Sequence, residues 1–118
     1  MDKLEQLARA VFLREGLTVR SLTQDLLREV SSFQDIPRPS SLDVRLLPIA
    51  AGLIELLAQR QNQPPPAWVK DIGPMPEPFY LLETALHMKR LRELCETQAP
   101  EPLKKRNLYA PPNYLAFA

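Results

Sequence analysis

The sequence offers few side chains from which a catalytic site could be built. It contains one histidine, His87, and one cysteine, Cys95, and neither lies in a spacing typical of a metal site or of a nucleophile with its base. Glu93 and Glu96 lie three residues apart on a predicted helix that also carries arginines, which favours ion pairs on the helix surface. The sequence therefore predicts a non-catalytic protein without metal, cofactor or small-molecule substrate.

The C-terminal segment is the most unusual stretch of the chain. Residues 104–118 read KKRNLYAPPNYLAFA and combine cations, amides and aromatic rings around a Pro-Pro pair. Aromatic side chains supply buried area at protein interfaces, and an arginine guanidinium forms a planar fork that fits a carboxylate. The residues of this tail that we predict to bind a partner protein are Lys105, Arg106, Asn107, Tyr109, Asn113, Tyr114 and Phe117.

An alternative hypothesis keeps the same tail within its own chain. In that arrangement the tail folds back over the helices and buries its apolar side chains against them. The side chains that would form this contact are Leu108, Tyr109, Leu115 and Phe117.

A proline-rich strap is predicted at 62–78, directly before a Phe-Tyr pair. The stretch 64–81 reads PPPAWVKDIGPMPEPFYL. Prolines leave such a segment little conformational entropy to lose when it lies across a helix surface. Trp68 and Phe79 are aromatic residues of this region, and we predict that they either anchor the strap to the core or form part of an interface.

Proline positions divide the chain into helical blocks. No proline occurs before Pro37, and later ones fall mostly in clusters that a helix cannot cross. The predicted helices occupy about 2–16, 18 or 21–33, 40–61, 77–96 and 101–106, and Pro48 kinks or divides the third. We place Phe12 on the buried stripe of the first helix. The predicted fold is all-α, with residues 1–118 forming a single-domain helical bundle of four main helices plus one or two short helices, with proline-rich surface straps.

Composition and charge narrow the class of protein. A chain of 118 residues, of which 45% are hydrophobic and 25% charged, suits one globular domain. Its formal net charge of +1 gives no global field that would gather nucleic acid or anionic lipid. A single cysteine excludes an internal disulfide, and the N-terminus lacks a signal-peptide pattern. The longest apolar run, 46–58, contains Glu55 and is too short to cross a bilayer. These features predict a cytoplasmic protein.

Residues 10–30 carry the second hypothesis, a helical DNA-binding transcriptional regulator. Two predicted helices follow each other around Gly16, as in a helix-turn-helix motif. The match is weak because Phe12 stands where a small residue should let the helices approach. Asp25 and Glu29 on the second helix would also repel phosphates. Two antiparallel helices of a bundle joined by a short glycine turn are the more common source of this pattern.

The order of motifs in the second half resembles a known group of proteins. PPAWV, then PFYL, then QAPEPLKKRNLYAPPNYL is similar to small bacterial antitoxin-like proteins that partner neighbour-encoded nucleotidyltransferase-fold proteins. The resemblance covers about residues 60–116, and the matching positions are Pro65, Pro66, Trp68, Pro78, Phe79, Ala99, Pro100, Arg106, Asn107, Leu108, Tyr109, Asn113, Tyr114 and Leu115. Pro111 and Pro112 stand where the group has a polar or acidic pair. The resemblance implies a toxin–antitoxin system in which the C-terminal region docks on the nucleotidyltransferase-fold protein and inhibits it.

Overall fold

Three helices from the first half of the chain form the centre of the fold. A computed structural model describes residues 3–40 and 42–116, and it contains α1 (Lys3–Phe12), α2 (Gly16–Glu29) and α3 (Leu47–Arg60). The first predicted helix is present, but it ends at Phe12 rather than near Gly16, and its predicted start at Asp2 lies outside the described residues. The second begins at Gly16, earlier than predicted, and ends before Phe33, which lies buried in a separate 3-10 turn.

α3 is the central helix and is buried along most of its length. The predicted third block is divided at Pro48 rather than kinked. Pro48 occupies the first turn of α3, where its missing N–H costs no hydrogen bond, and a 3-10 turn at Val44–Leu46 precedes the helix. Most side chains of α3 are apolar, so it packs against α1 on one side and the C-terminal segment on another.

The predicted fourth helix is wrong over most of its first half. Strand β1 (Phe79–Tyr80) and a 3-10 turn at Glu83–Leu86 occupy that region, and α4 covers only Lys89–Gln98. Pro74, Pro76 and Pro78 have no N–H for a helix and favour extended backbone at the residue before them. The short helix α5 (Glu101–Lys104) confirms the fifth prediction.

A two-stranded parallel sheet joins the strap to the C-terminal segment. β1 pairs with β2 (Leu108–Tyr109) in the register Phe79 to Leu108 and Tyr80 to Tyr109. The amides of Phe79 and Leu81 donate to the carbonyls of Asn107 and Tyr109, both at 2.9 Å. The amide of Met75 extends this contact by donating to the carbonyl of Arg106 at 2.9 Å. No strand was expected from the sequence, because two residues are too few to show a period of two.

These elements form one mostly helical domain around a single hydrophobic core. The predicted bundle of four main helices is not confirmed. α3 packs against α1 and α5, whereas α4 packs mainly on the 3-10 turn at Glu83–Leu86. Among the described residues, none of the helices is both long enough and apolar enough to cross a bilayer.

Candidate functional site

The C-terminal segment is built into the core of the protein. Its buried apolar side chains belong to Leu108, Ala110, Tyr114 and Leu115. α3 accommodates this segment through Gly52, where a Cβ atom would lie 3.0 Å from Leu103 Cδ2 and 3.0 Å from Leu108 Cδ1. The absence of a side chain at Gly52 therefore allows α5 and β2 to approach the helix closely. The described part of the tail follows the alternative in which it covers its own helices.

Arg106 lies inside the protein, with 3% of its surface exposed. Its Nη2 atom is 2.9 Å from Glu55 Oε1 on α3 and donates to the carbonyl of Val69 at 2.9 Å. Its Nη1 atom donates to the carbonyl of Pro102 at 2.8 Å. One guanidinium thus joins α3, the strap and α5. A partner carboxylate would have to displace Glu55 to reach it.

Lys105 shares Glu55 with Arg106 but lies at the surface. Its Nζ atom is 2.7 Å from Glu55 Oε2, and 43% of the lysine side chain is exposed, against 16% of the Glu55 side chain. The carboxylate of Glu55 therefore compensates one buried and one exposed cation. Because much of the Lys105 side chain stays in water, Lys105 contributes less to the fold than Arg106 does.

Asn107 and Tyr109 orient the strap. Asn107 has a φ of 65°, in the left-handed region that asparagine tolerates better than most residues. Its Nδ2 donates to the carbonyl of Met75 at 3.1 Å, and its Oδ1 accepts from the Tyr109 hydroxyl at 3.3 Å. The Tyr109 ring lies 5.5 Å from that of Tyr80. The Tyr80 hydroxyl donates to Glu96 at 2.5 Å, which raises the pKa of Tyr80 to about 12.

The end of the tail divides into buried and exposed positions. Tyr114 is buried, and this burial raises the pKa of its hydroxyl. Arg60 of α3 donates to the carbonyl of Tyr114 and, at 3.2 Å, to that of Pro112. Asn113 is exposed, and Phe117 lies outside the described residues. The role of these residues in partner binding stays a prediction.

The two aromatic residues of the strap region have different surroundings. Trp68 is half-buried against the core, and its Nε1 donates to the carbonyl of Ile36 at 2.9 Å. The indole thereby attaches the strap to the chain at Ile36, which is one of the two roles predicted for it. Phe79 stacks on Phe12 with ring centroids 5.5 Å apart, and Arg14 Cζ lies 4.6 Å from the Phe79 centroid. Phe79 therefore connects the strap to the surface at the end of α1.

An exposed apolar surface lies where α1 ends, and we call its central cavity the Phe12 groove. The groove has a volume of about 390 Å³. Its lining residues include Phe12, Val44, Pro48, Pro74, Met75 and Pro76. Phe12 is 42% exposed, which corrects its predicted place on the buried stripe, and Val44 is 73% exposed. Leu13, which is 63% exposed, lines an adjoining hollow with Phe12.

Two charged residues, Asp43 and Arg45, also line the Phe12 groove and pair with each other. Both carboxylate oxygens of Asp43 accept hydrogen bonds from Arg45, with an Nη2 to Oδ2 distance of 2.8 Å, and this pairing lowers the pKa of Asp43 to about 2. Arg9 lies at the surface of the adjoining hollow. Its side chain makes no hydrogen bond or close ion pair with the part of the chain that the structure describes, but its charge acts on Asp43 and helps to lower the pKa of that carboxyl.

A second groove lies beyond Arg14, on the side of the C-terminal segment. It has a volume of about 420 Å³ and is lined by Val19, Leu81, Leu82, Pro111 and Tyr114 among others. Arg14 also lines it, while its Nε donates to the carbonyl of Tyr80 at 2.9 Å. Arg14 stacks on Phe79, and Phe79 stacks on Phe12. These three side chains therefore separate this groove from the Phe12 groove.

Two acidic residues of α2, Asp25 and Glu29, contact α1. These are the residues that would repel DNA phosphates under the DNA-binding hypothesis. Lys3 Nζ lies 3.8 Å from Asp25 and 3.7 Å from Glu29, and Arg28 also pairs with Asp25.

Within residues 3–40 and 42–116, no group of three or more metal-ligating side chains is brought together. Cys95 is buried, which raises the pKa of its thiol.

Sequence reasoning did not identify Glu55, Leu13 or Val44 as important residues. For Glu55 a signal was present, because a carboxylate within an apolar run must find a cation when the run is buried, and three cations follow at 104–106. Leu13 and Val44 have no comparable signal, because single exposed apolar residues are common. Comparison of the chain with family models, with curated proteins and with solved structures finds no match, so its likeness to antitoxin-like proteins stays a prediction.

Proposed function

We propose that this protein is a non-catalytic protein-binding module, an antitoxin-like partner of a bacterial nucleotidyltransferase-fold protein. The observation that carries the proposal is the exposure of Phe12 and Val44 at the Phe12 groove and of Leu13 at the adjoining hollow. Apolar side chains that cluster on a surface beside charged residues are typical of sites that lose their water to a protein partner.

The C-terminal segment supports this function by holding the binding surface in place. Its backbone pairs with Met75 of the strap and with Phe79 and Leu81 directly after the strap, and Phe79 in turn stacks on Phe12. A surface that is rigid before binding loses less conformational entropy when the partner docks. Lys105 and Asn113 are exposed and stay candidates for direct contact with the partner.

The partner class rests on the resemblance of residues 60–116 to antitoxin-like proteins. Docking beside the active site of a nucleotidyltransferase-fold protein would block the approach of nucleotide to its metal-binding carboxylates. Inhibition of this kind needs surface complementarity and no chemistry from the inhibitor. It is therefore consistent with a chain whose polar groups mainly hold its own structure together.

Val44→Asp is expected to weaken the complex with the neighbour-encoded nucleotidyltransferase-fold protein by about 30-fold or more, as for a residue central to an interface. The reason is that complex formation would bury the new carboxylate beside Phe12. Val44 is mostly exposed in the free protein, so its thermal stability should change by less than about 0.5 kcal/mol. Co-purification and titration calorimetry measure the complex.

Met88→Asp is the matched control. Met88 is also an exposed apolar residue, it precedes α4 as its N-cap, and it does not line the Phe12 groove. An aspartate suits an N-cap position, so this variant should fold and bind the partner normally. Failure of the wild-type chain to bind that protein would contradict the proposed function. Equal binding of the partner by the wild type and by Val44→Asp would show that the Phe12 groove is not part of the interface.

A further inference from the structure

We infer that the Phe12 groove receives an amphipathic helix of the partner, with an apolar side chain in the groove and a carboxylate beside Arg9. This inference rests on the proposed function and specifies its occupant. The walls of the groove come from the end of α1, the 3-10 turn at Val44–Leu46 and the proline-rich strap. They present apolar side chains together, and an inserted leucine or phenylalanine would lose its water there.

The strap is rigid on its side of the groove. Pro74 and Pro76 restrict the backbone around Met75, whose amide donates to the carbonyl of Arg106 and whose carbonyl accepts from Asn107. Both backbone groups of Met75 are therefore engaged within the chain. The cavity exists before a partner binds, so an incoming side chain meets a formed receptor.

The backbone around the groove favours a helix over an extended strand. A strand that joins a sheet edge needs free N–H and C=O groups to pair with. Pro74, Pro76 and Pro78 have no N–H, and the carbonyl of Tyr80 on β1 already accepts from Arg14. A helix satisfies its own backbone hydrogen bonds and presents only side chains, so it can dock where no edge is offered.

The charges near the groove favour an acidic helix. Arg45 occupies both oxygens of Asp43 and neutralises it. Arg9 lines the adjoining hollow together with Asp43, and its charge also acts on that carboxylate. Two arginines therefore face one carboxylate around the groove and the hollow, which leaves a net positive charge there. A carboxylate on the flank of the docked helix would pair with Arg9, and a lysine there would be repelled.

Two synthetic peptides of about 16 residues, long enough to form helix, test this inference. Both carry the same leucine and phenylalanine stripe, and their flanks carry either glutamate or lysine. Amide chemical shifts of the complete protein locate and quantify binding. We expect shifts at 9–14 and 44–46, with the glutamate peptide binding roughly threefold to fivefold tighter at low salt, as for one exposed ion pair. Arg9→Glu should reverse that preference.

Arg90→Glu makes the same change of charge on α4, where Arg90 is exposed and does not line the groove. It should leave the preference between the peptides unchanged. Equal affinity of the two peptides for the wild type, shifts confined to other regions, or binding of neither peptide would each overturn the inference. So would a homodimer that Val44→Asp dissociates, because the groove would then belong to a second copy.

The peptide experiment and the partner experiment fail separately. If the intact nucleotidyltransferase-fold protein binds and the peptides do not, the helical occupant is wrong and the proposed function stands. If the peptides bind as expected and the intact protein does not, the groove recognises acidic helices but the partner class is wrong.

Discussion

Replacing Glu55 with alanine is expected to destabilise the protein by about 3 kcal/mol, which lies within the range for stranding one charge of a buried ion pair. Arg106 would keep its hydrogen bonds to two carbonyls but would lose its compensating charge, while its side chain stays inside the protein. In a domain of this size the loss lowers the melting temperature by roughly 10 °C or more. Thermal and urea denaturation followed by circular dichroism measure the effect.

Lys105→Ala is the control for this prediction, because it removes the second cation of the same carboxylate. Lys105 is substantially exposed, so its loss should cost less than about 1 kcal/mol. The double variant Glu55→Leu with Arg106→Met removes both charges of the buried pair and should recover part of the stability. If Glu55→Ala and Lys105→Ala cost the same, the buried pair is not what holds the C-terminal segment.

Leu108→Ala is expected to cost about 3 kcal/mol, in the middle of the range for truncating a buried leucine. Leu108 is fully buried on β2 and lies against Gly52 of α3, so its removal leaves a cavity at the junction of the tail with the central helix. Deletion of 107–118 removes this side chain together with those of Ala110, Tyr114 and Leu115, and the shortened chain should not fold cooperatively. The same denaturation measurements apply.

Asn113→Ala tests whether this effect belongs to buried side chains. Asn113 lies in the same segment but is exposed, so its replacement should change stability by less than about 0.5 kcal/mol. If deletion of 107–118 left a stably folded domain, the tail would be an appendage that is free to dock elsewhere. That result would favour the hypothesis in which the tail itself contacts the partner.

Proline placement predicted the helical parts of the fold well. The chain before Pro37 contains two α-helices, and α3 begins at Leu47, with Pro48 in its first turn, and ends ahead of the cluster at 64–66. Both results follow from local chemistry, because a proline is disfavoured in the interior of a helix wherever it occurs. The start of α2 was placed too late because Gly16 was taken as the turn, whereas it is the first helical residue.

The two-stranded sheet and the exposure of Phe12 depend on long-range contacts that local sequence patterns do not show. β1 exists because the carbonyls of Asn107 and Tyr109 face it, and these residues are distant in sequence. Phe12 follows the apolar spacing of α1 but lies at its end, where Phe79 of β1 covers only part of the ring. Tertiary packing therefore decided which of the apolar residues near the end of α1 stayed exposed.

The central claim is that the strap and the C-terminal segment form one closed unit on α3, which leaves the Phe12 groove for a partner. Native-state amide hydrogen exchange on the complete protein tests it most directly. We predict that the amides of Met75, Phe79 and Leu81, which donate to carbonyls of the C-terminal segment, exchange nearly as slowly as those in the middle of α3. Glu55→Ala should speed their exchange more than Lys105→Ala does. Exchange of these three amides at the rate of an exposed loop in the wild type would contradict the claim.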